Sequence, residues 1–206
     1  GAHGAPAALS PRYRELVARL ERADSIVVDA HKMLLVPALC TAVLFRQGRH
    51  ACAAFAQEAS YLFGAGAHDQ GLRTLECTKR MLGLPLYALL EVLGREVLVA
   101  HVEHCFDLAR AFAEELRAAP DFELAVEPQA NIVCFRHVPA GNGDLDALQT
   151  AVRTRVLESG RFYLVQTRLD GTLWLRTTLI HPQTSLDDLR ELLATIREFA
   201  RGGPAA

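Results

Sequence analysis

The sequence predicts an α/β region followed by a compact α+β domain. Two observations support this prediction: a β-branched run ends at a lysine-bearing segment near the start of the chain, and paired strand patterns alternate with helical patterns in the second half. The order beyond about residue 95 is α-β-β-α-β-β-α, which is typical of strand pairs that pack against helices. We therefore predict one structural region over residues 1–94 and a second over residues 95–206.

The elements of the first region follow from local signals. Pro11 after Ser10 is typical of a helix N-terminus, and the β-branched run 25–29 (SIVVD) is typical of a buried strand. Gly94 is a natural helix stop. In chain order, the predicted elements are a helix from Ser10 to about Leu20, strands over 25–29 and 42–45, a Gly-rich loop over 64–72, and a helix from Thr74 to about Leu93.

The second region is predicted from the same kinds of signal. Pro120 ends a long amphipathic helix, and Ser185 is a good N-cap because Asp187 and Asp188 follow in the first helical turn. The predicted elements are a helix over 96–119, strands over 122–126, 132–137, 162–166 and 173–179, and helices over 145–158 and 185–199.

Composition limits the classes of protein to which the chain can belong. The net charge of -2 leaves no dominant basic face, so we expect no nucleic-acid partner. No uncharged apolar run is long enough to span a membrane, and no signal-peptide pattern opens the chain. Five widely spaced cysteines without a C-x-x-C pair fit reduced thiols. We therefore expect a soluble, globular, cytoplasmic protein.

Lys32 is the first candidate for chemistry. It follows the predicted strand 25–29 on a short loop, beside His31 and between the apolar runs 27–28 and 33–37. Burial disfavours the ammonium form of a lysine and lowers its pKa, which suits a lysine that attacks a carbonyl group. A lysine on a surface loop is the alternative, and the residues alone leave both interpretations open. The imidazole of His31 could donate to a phosphate or stack near an aromatic cofactor.

The segment 24–34 (DSIVVDAHKML) resembles the lysine signature of the group II decarboxylases that depend on pyridoxal 5'-phosphate (PLP). These fold type I enzymes act on glutamate, 2,4-diaminobutyrate, cysteine sulfinate or aromatic amino acids. The family usually has proline where this chain has Ala30, and the segment 22–25 also matches. The resemblance covers essentially the whole chain. It implies a fold type I PLP-dependent transferase, with the end of the large PLP-binding domain over residues 1–94 and a C-terminal α+β small domain over residues 95–206.

The resemblance also accounts for the first residues of the chain, which has no initiator Met. In the family a strand delivers an aspartate to the pyridine nitrogen of PLP, and Gly1 to Gly4 resemble the segment that follows this aspartate. By the same resemblance Ala2 packs against the cofactor ring and His3 is a cofactor neighbour, although a lone histidine in such a position is more often polar surface. We therefore expect the C-terminal portion of a longer protein.

The resemblance implies catalytic roles for Lys32 and Tyr61. Lys32 would form the internal aldimine with PLP, beside His31. Tyr61 precedes the Gly-rich loop, and taken alone it is best interpreted as a core aromatic next to Leu62 and Phe63. In the family this segment is a mobile catalytic loop, whose tyrosine protonates the α-carbon after carbon dioxide leaves. Relatives that form aldehydes tend to have phenylalanine there, so Tyr61 favours plain decarboxylation.

Arg176 is the candidate for substrate binding. It lies among alternating apolar residues of the predicted strand 173–179, where an arginine is either a paired structural cation or a clamp for a carboxylate. The family has a substrate-carboxylate arginine in a matching strand, and the resemblance therefore favours the clamp.

His101 and His104 are a candidate metal site, because two histidines three residues apart on a helix can share a metal ion. No second ligand pair follows on the helix, and the resemblance implies no metal, so we expect surface histidines. Cys77 and Cys105 are expected to be buried thiols.

The resulting hypothesis is PLP-dependent decarboxylation of an L-amino acid to the corresponding amine and carbon dioxide. The segments 61–63 and 76–80 are closer to the glutamate and diaminobutyrate branches than to the aromatic branch. The resemblance implies a homodimer of the full-length protein, or an assembly with a separate chain that supplies the N-terminal half. Two alternatives stay open: another fold type I activity such as a carbon–carbon lyase, and a non-catalytic remnant or partner subunit that keeps the fold.

Overall fold

The computed structural model describes residues 1–55, 71, 74, 76, 78–141 and 143–202. It divides into two units, of which the first comprises Gly1–Val102 and the second Glu103–Ala206. The long helix α4 (Arg95–Ala118) contributes its first turns to the first unit and the remainder to the second. In the described part of the chain, no helix combines the length and the apolar character needed to cross a membrane.

The first unit contains a two-stranded antiparallel hairpin. Its elements are, in order, 3-10 turns at Ala5–Leu9, Arg14–Val17 and Leu20–Arg22, strand β1 (Ser25–Asp29), helix α1 (Ala30–Met33), strand β2 (Thr41–Phe45), helix α2 (Gly48–Phe55), helix α3 (Gly83–Leu93) and the start of α4. The register runs from Ser25 opposite Phe45 to Asp29 opposite Thr41. A small apolar core packs the segment between the strands against α4, and its buried members are Ala30, Leu34, Val36, Cys40 and Leu98.

The predicted helix from Ser10 to Leu20 is wrong, because the segment forms 3-10 turns. Ser10 and Tyr13 are the buried anchors of this segment, whereas Leu16 is 50% exposed. Anchors three residues apart suit the tight i to i+3 turn, in which such side chains eclipse each other. The Ser10 hydroxyl also accepts hydrogen bonds from the backbone N–H groups of Arg12 and Tyr13, which favours a turn over a regular helix.

The helix predicted from Thr74 begins later, at Gly83. Pro85 has no backbone N–H, and in a continuous helix its ring would collide with the carbonyl of Met81, so Pro85 is tolerated only in the first turn. The chain before it is accordingly not helical at the described residues 78–82. The sequence patterns also did not predict helix α2, which follows β2 directly.

Lys32 lies on a single helical turn, and the predicted loop is therefore wrong at this point. Ala30 and Met33 are buried on one side of this turn, three residues apart. The backbone N–H of Ala30 donates to the carbonyl of Cys40 at 2.9 Å, so the turn begins where the two strands meet. A helical turn brings Lys32 to the same side as Asp29, which lies three residues earlier.

The second unit contains a four-stranded antiparallel sheet and helices. After the remainder of α4, its elements are β3 (Phe122–Leu124), β4 (Ile132–His137), α5 (Leu145–Glu158), β5 (Val165–Leu169), β6 (Thr172–Thr178) and α6 (Leu186–Arg201). The strand order is β3-β4-β6-β5, and neighbouring strands are antiparallel. The predicted α-β-β-α-β-β-α order is thereby confirmed.

Helices cover one face of this sheet. Alternate residues of β4 and β6 enter the core, where Val133, Phe135 and Leu175 are fully buried. They pack with apolar side chains of the helices, which include Phe112, Leu116, Val152, Val156, Leu192 and Ile196. Ser185 caps α6 as predicted, and its hydroxyl and the carboxylate of Asp188 form a capping box.

Strand β5 lies three residues further along the chain than predicted, at Val165–Leu169 in place of 162–166. The cause is the turn Asp170–Gly171, whose residues have positive φ angles of 49° and 80°. Asp-Gly is a favoured pair for a two-residue hairpin turn in this conformation. The turn pairs Leu169 with Thr172 and so sets the register of β5 against β6.

Side chains of α5 replace backbone partners where the pairing of β4 with β6 ends. The amide of buried Gln149 accepts from the backbone N–H of His137 and donates to its carbonyl, both at 2.9 Å. The carboxylate of Asp146 accepts from the backbone N–H of Leu173 at 3.0 Å. Because buried backbone groups must be paired, these two side chains complete the ladder at this end of the sheet.

His137 is buried beside an ion pair. Its Nδ1 donates to the carbonyl oxygen of Asp121 at 2.9 Å, and Arg197 donates twice to the Asp121 carboxylate, at 2.6 and 2.8 Å. Burial lowers the pKa of His137, although the neighbouring Asp121 opposes this effect. The hydrogen bond from Arg197 lowers the pKa of the Asp121 carboxyl. The folded unit therefore favours a neutral imidazole next to a charged carboxylate.

Replacement of Gln149 by leucine is expected to lower the free energy of unfolding by about 2–4 kcal/mol, because the N–H and C=O of His137 are left buried and unpaired. Chemical denaturation followed by circular dichroism measures this difference. The exposed neighbour provides the control, since Thr150→Ala should change the free energy by no more than about 0.5 kcal/mol. A Gln149→Leu protein as stable as the parent would contradict the role assigned to this amide.

Stability is expected to fall as the pH drops below about 6.5, the value for an unfolded histidine. Because buried His137 binds a proton less readily than the unfolded chain does, lower pH favours unfolding. The full contribution of His137 to stability is present above about pH 6.5. His137→Asn should flatten this dependence, since its amide can donate to the same Asp121 carbonyl without titrating. Denaturation midpoints from about pH 5 to about pH 8 provide the test, and equal slopes in both proteins would refute it.

Candidate functional site

The β1–β2 hairpin gathers three polar side chains at one end. Asp29 is the last residue of β1 and lies opposite Thr41, the first residue of β2. Lys32 follows on α1, and residues three apart on a helical turn lie on the same side. The strand pairing and the helical turn thus bring Lys32, Asp29 and Thr41 together.

A carboxylate joins the lysine and the threonine in this cluster. Nζ of Lys32 donates to Oδ2 of Asp29 at 2.7 Å, and Oγ1 of Thr41 donates to Oδ1 of the same carboxylate at 2.7 Å. The Lys32 side chain is 35% exposed and the Asp29 side chain 13%. The prediction of strongly apolar surroundings for Lys32 is therefore wrong, because the helical turn directs the amine back to Asp29.

Hydrogen bonds and charge keep Asp29 ionised. The hydrogen bond from Lys32 is the main cause that lowers the pKa of the Asp29 carboxyl, and the bond from Thr41 acts in the same direction. Burial opposes them, while the charges of Lys32 and His31 add smaller lowering effects. Asp29 is therefore a fixed anionic acceptor, with a partner at each oxygen.

His31 is held by the backbone of Cys40. The Cys40 N–H donates to Nδ1 of His31 at 3.1 Å. The Cys40 carbonyl oxygen also lies 3.0 Å from Nδ1. Nδ1 accepts from the Cys40 N–H in the tautomer that has its proton on Nε2, and it donates to the Cys40 carbonyl in the other. In the first tautomer Nε2 can donate to an anionic group such as a phosphate.

The opening turn of the chain packs against the strand that leads to Lys32. A side chain on Gly1 would collide with the carbonyl oxygen of Val27, at 2.3 Å from the new Cβ atom, so the backbone there lies directly against β1. Ala2 and His3 follow in the same turn and are partly buried. Their contact with a cofactor stays a prediction.

Tyr61 and most of the loop 64–72 lie outside the described residues, as does Cys77. The catalytic role of Tyr61 therefore stays a prediction from the sequence. A cleft of about 660 Å³ runs along β2 and α2, and Thr41 is among its lining residues. Lys32 and His31 are not among the described residues that line this cleft, so the Lys32 amine does not lie in it.

Arg176 lies on β6 in the second unit, on the sheet face opposite the helices. It pairs in register with Cys134 of β4 and Val165 of β5. One guanidinium nitrogen donates to Oγ1 of Thr178 at 3.3 Å, whereas the buried Nε has no hydrogen-bond partner among the described residues. Several arginines of this unit pair with a carboxylate, namely Arg117, Arg136, Arg161, Arg168, Arg190 and Arg197. Arg176 has no such carboxylate among the described residues, which leaves its donors available for an anion.

The two histidines of α4 do not form a surface pair. His101 is buried, whereas His104 is exposed, with Nε2 3.3 Å from the carbonyl oxygen of Thr184. His101 lies three residues after buried Leu98 and four before buried Cys105, within the apolar stripe of the helix. The prediction of surface histidines is therefore wrong for His101. Within the described ranges, no group of three or more His, Cys, Asp or Glu side chains could hold a metal ion.

The described thiols of the second unit are unreactive near neutral pH. Cys105 is buried as predicted, and burial raises the pKa of its thiol to about 11. Burial also raises the pKa of the Cys134 thiol, which the charge of Arg176 partly opposes. Because only the thiolate is a good nucleophile, neither residue is a candidate for covalent catalysis.

Sequence reasoning missed Asp29 and Thr41 as parts of the site. Both are polar residues at the ends of apolar runs, and this was the available signal. If the two predicted strands pair as a hairpin, the end of the first faces the start of the second. The pairing itself had to be known before the two side chains could be placed together.

Comparison with known proteins extends the sequence resemblance. A family model described as "Pyridoxal-dependent decarboxylase conserved domain" matches residues 1–138, about two thirds of the chain. An aspartate 1-decarboxylase of Aliivibrio fischeri is 27% identical, over 97% of this chain and 40% of its own length. An L-2,4-diaminobutyrate decarboxylase of Rhizobium meliloti is 32% identical, over 94% of this chain and 40% of its own length. The chain thus spans about 40% of the length of these relatives.

The fold is also similar to that of a solved structure. The crystal structure of the glutamate decarboxylase domain of diaminobutyrate-pyruvate transaminase and L-2,4-diaminobutyrate decarboxylase from Vibrio parahaemolyticus matches with a TM-score of 0.80 and 27% identity. The match covers 97% of this chain and 39% of that chain. The predicted α/β fold class of fold type I is therefore confirmed.

Proposed function

The chain belongs to the pyridoxal-dependent decarboxylase family, and from this membership we propose that the whole protein removes the α-carboxylate of an L-amino acid as carbon dioxide. Lys32 would be the lysine that holds PLP. The observation that carries the proposal is the geometry of this residue: a primary amine on the turn after β1, bound by Asp29 at 2.7 Å and with its side chain 35% exposed.

The residues around Lys32 fit the chemical groups of PLP. A primary amine bonds to an aldehyde, and the Lys32 side chain that has this amine is 35% exposed. With its ring proton on Nε2, His31 would donate to the phosphate. When bound, PLP supplies a protonated pyridine ring that withdraws electrons from the α-carbon as the carboxylate leaves.

Arg176 is proposed to bind a carboxylate of the substrate. A partly buried guanidinium with an unpaired Nε is costly unless an anion completes its hydrogen bonds. Arginine binds a carboxylate through two parallel hydrogen bonds, which also orients the bound molecule. This assignment rests on the sequence resemblance, and the unpaired Nε supports it.

Tyr61 is proposed to donate the proton that replaces the departing carboxylate on the α-carbon. A phenol has an O–H donor near neutral pH, and a tyrosine next to a Gly-rich loop can approach a bound substrate when the loop closes. Closure also excludes water from the reacting carbon. This role rests on the sequence alone.

The whole protein is proposed to act as a homodimer, or together with a separate chain that supplies the N-terminal half. Substrates with acidic or diamino side chains are favoured over aromatic ones, because the segments 61–63 and 76–80 are closer to the glutamate and diaminobutyrate branches. The cytoplasmic location expected from the cysteine pattern stays a prediction.

Incubation of the full-length protein with PLP, followed by borohydride reduction, is expected to leave a phosphopyridoxyl group on Lys32. The chain has only two lysines, Lys32 and Lys79, so peptide mass spectrometry distinguishes the two side-chain amines directly. Lys32→Ala should abolish the label, and Lys79→Ala is the matched control that should keep it. A full-length protein that stays colourless with PLP and unlabelled at Lys32 would contradict the function and favour a non-catalytic partner subunit.

Substitution of Tyr61 by phenylalanine is expected to leave PLP labelling of Lys32 intact and to divert the product from amine to aldehyde. The reason is that the phenol proton is no longer available to the α-carbon, which is then oxidised more slowly by dissolved dioxygen, with release of hydrogen peroxide and of the amino nitrogen as ammonia. Chromatographic measurement of amine and aldehyde, after a screen of acidic, basic and aromatic amino acids, provides the readout. Unchanged amine production would refute the role of Tyr61 as proton donor. If Tyr61 is dispensable for turnover, another fold type I activity such as a carbon–carbon lyase is favoured.

A further inference from the structure

Asp29 is bound at both carboxylate oxygens, and each bond comes from a different element. Lys32 of α1 binds Oδ2 and Thr41 of β2 binds Oδ1, both at 2.7 Å. Because Asp29 and Thr41 are opposite each other in the strand register, β2 orients the carboxylate independently of the lysine. The acceptor is therefore in place whether or not the amine is bound to it.

The other groups near this cluster do not compete for the amine. Nδ1 of His31 is occupied by the backbone N–H of Cys40, and the Cys40 thiol donates to the carbonyl of Leu82 at 3.1 Å. His31 and Cys40 are the titratable groups on the turn and strand next to the pair, besides Lys32 and Asp29 themselves. Asp29 is accordingly the carboxylate to which the amine binds in the described part of the chain.

We propose that Asp29, oriented by Thr41, is a positioning residue that binds the ammonium group of Lys32 whenever the lysine is not bonded to the cofactor. The inference rests on the proposed function of Lys32 and deepens it. A lysine released during turnover must stay near the site, and a fixed carboxylate holds its ammonium group in place. Since only the neutral amine attacks a carbonyl group, the same ion pair delays the return of the lysine until substrate and product have exchanged.

Competitive labelling with a trace of acetic anhydride tests this role without the cofactor. The reagent modifies neutral amines, and the chain offers only Lys32 and Lys79 as side-chain targets, so the labelling ratio of Lys32 to Lys79 corrects for reagent and pH. Lys79 donates to the hydroxyl of Thr74, which is neutral. At near-neutral pH, Asp29→Asn is expected to raise this ratio roughly three- to tenfold, because the amide keeps the shape of the side chain and loses its charge.

The threonine provides a graded test of the same idea. Thr41→Val removes the hydroxyl that orients the carboxylate and should raise the ratio by about twofold, less than the loss of the charge itself. Thr41→Ser keeps a hydroxyl at this position and should restore the parent ratio. Asp24→Asn is the matched control, because Asp24 pairs with Arg46 across the same hairpin at its other end. This control should leave the ratio unchanged.

A pH series separates the charge effect from a loosened structure. The parent and Asp29→Asn ratios should converge well above about pH 10.4, the ordinary value for a lysine, if the carboxylate acts through its charge. A ratio raised equally at every pH would mean that the substitution only opens the structure, and it would overturn the proposal. The same conclusion would follow if Asp24→Asn raised the ratio as much as Asp29→Asn, or if Asp29→Asn left it unchanged.

Reduction with borohydride after brief exposure to PLP gives the second arm of the experiment. Faster PLP labelling of Lys32 in Asp29→Asn, in the same order as the acetylation ratios, would support the proposal. If acetylation follows the expected order but PLP labels Lys32 in no variant of the full-length protein, the proposed function fails, and the ion pair is structural only. The two arms thereby distinguish a wrong role for Asp29 from a wrong role for Lys32.

Discussion

The register of the β1–β2 hairpin is the constraint on which the candidate site depends. Asp29 faces Thr41 only in the observed pairing, and a slip by one residue would turn the side chains of one strand to the other face. The segment between the strands holds this register, because the backbone of Cys40 accepts from Ala30 and donates to His31. Apolar residues of the same segment are buried in the core that includes α4. Burial of these apolar residues holds the segment in place, and the partly exposed Lys32 lies on the same segment.

In the second unit, side chains of α5 pair backbone groups of the sheet, whereas Nε of Arg176 has no hydrogen-bond partner among the described residues. Asp146 and Gln149 pair the backbone groups where β4 and β6 end their contact. On the face opposite the helices, Arg136 pairs with Glu123 and its guanidinium lies 4.7 Å from the centre of the Trp174 ring. Arg176 is on that face too, but its Nε has no hydrogen-bond partner among the described residues. Arg136 and Arg176 thus lie on the same face of the sheet. Among the described residues, Arg136 has a carboxylate partner and Arg176 has none.

Most elements of the fold could be predicted where a local signal was strong. The Ser185 cap, the long helix that ends before Pro120 and the order of helices and strands along the second half depend on neighbouring residues, and the structure has them. Errors occurred where packing or one residue overrides a pattern. The segment after Ser10 is anchored at three-residue spacing and forms turns, and Pro85 delays the start of α3. These causes act through burial and sterics, which an apolar periodicity does not reveal.

The sequence by itself determined the family, the fold class and Lys32 as the candidate amine, because a signature of adjacent residues contains that information. Only the tertiary structure decided what holds the amine. Asp29 and Thr41 are twelve residues apart, and their hydrogen bond exists because two strands pair in one register. The helical turn then directs Lys32 to the carboxylate, in place of the apolar surroundings that its flanking residues predicted. Contacts of this kind follow from chain geometry and long-range pairing, since residue identity alone does not place one strand beside another.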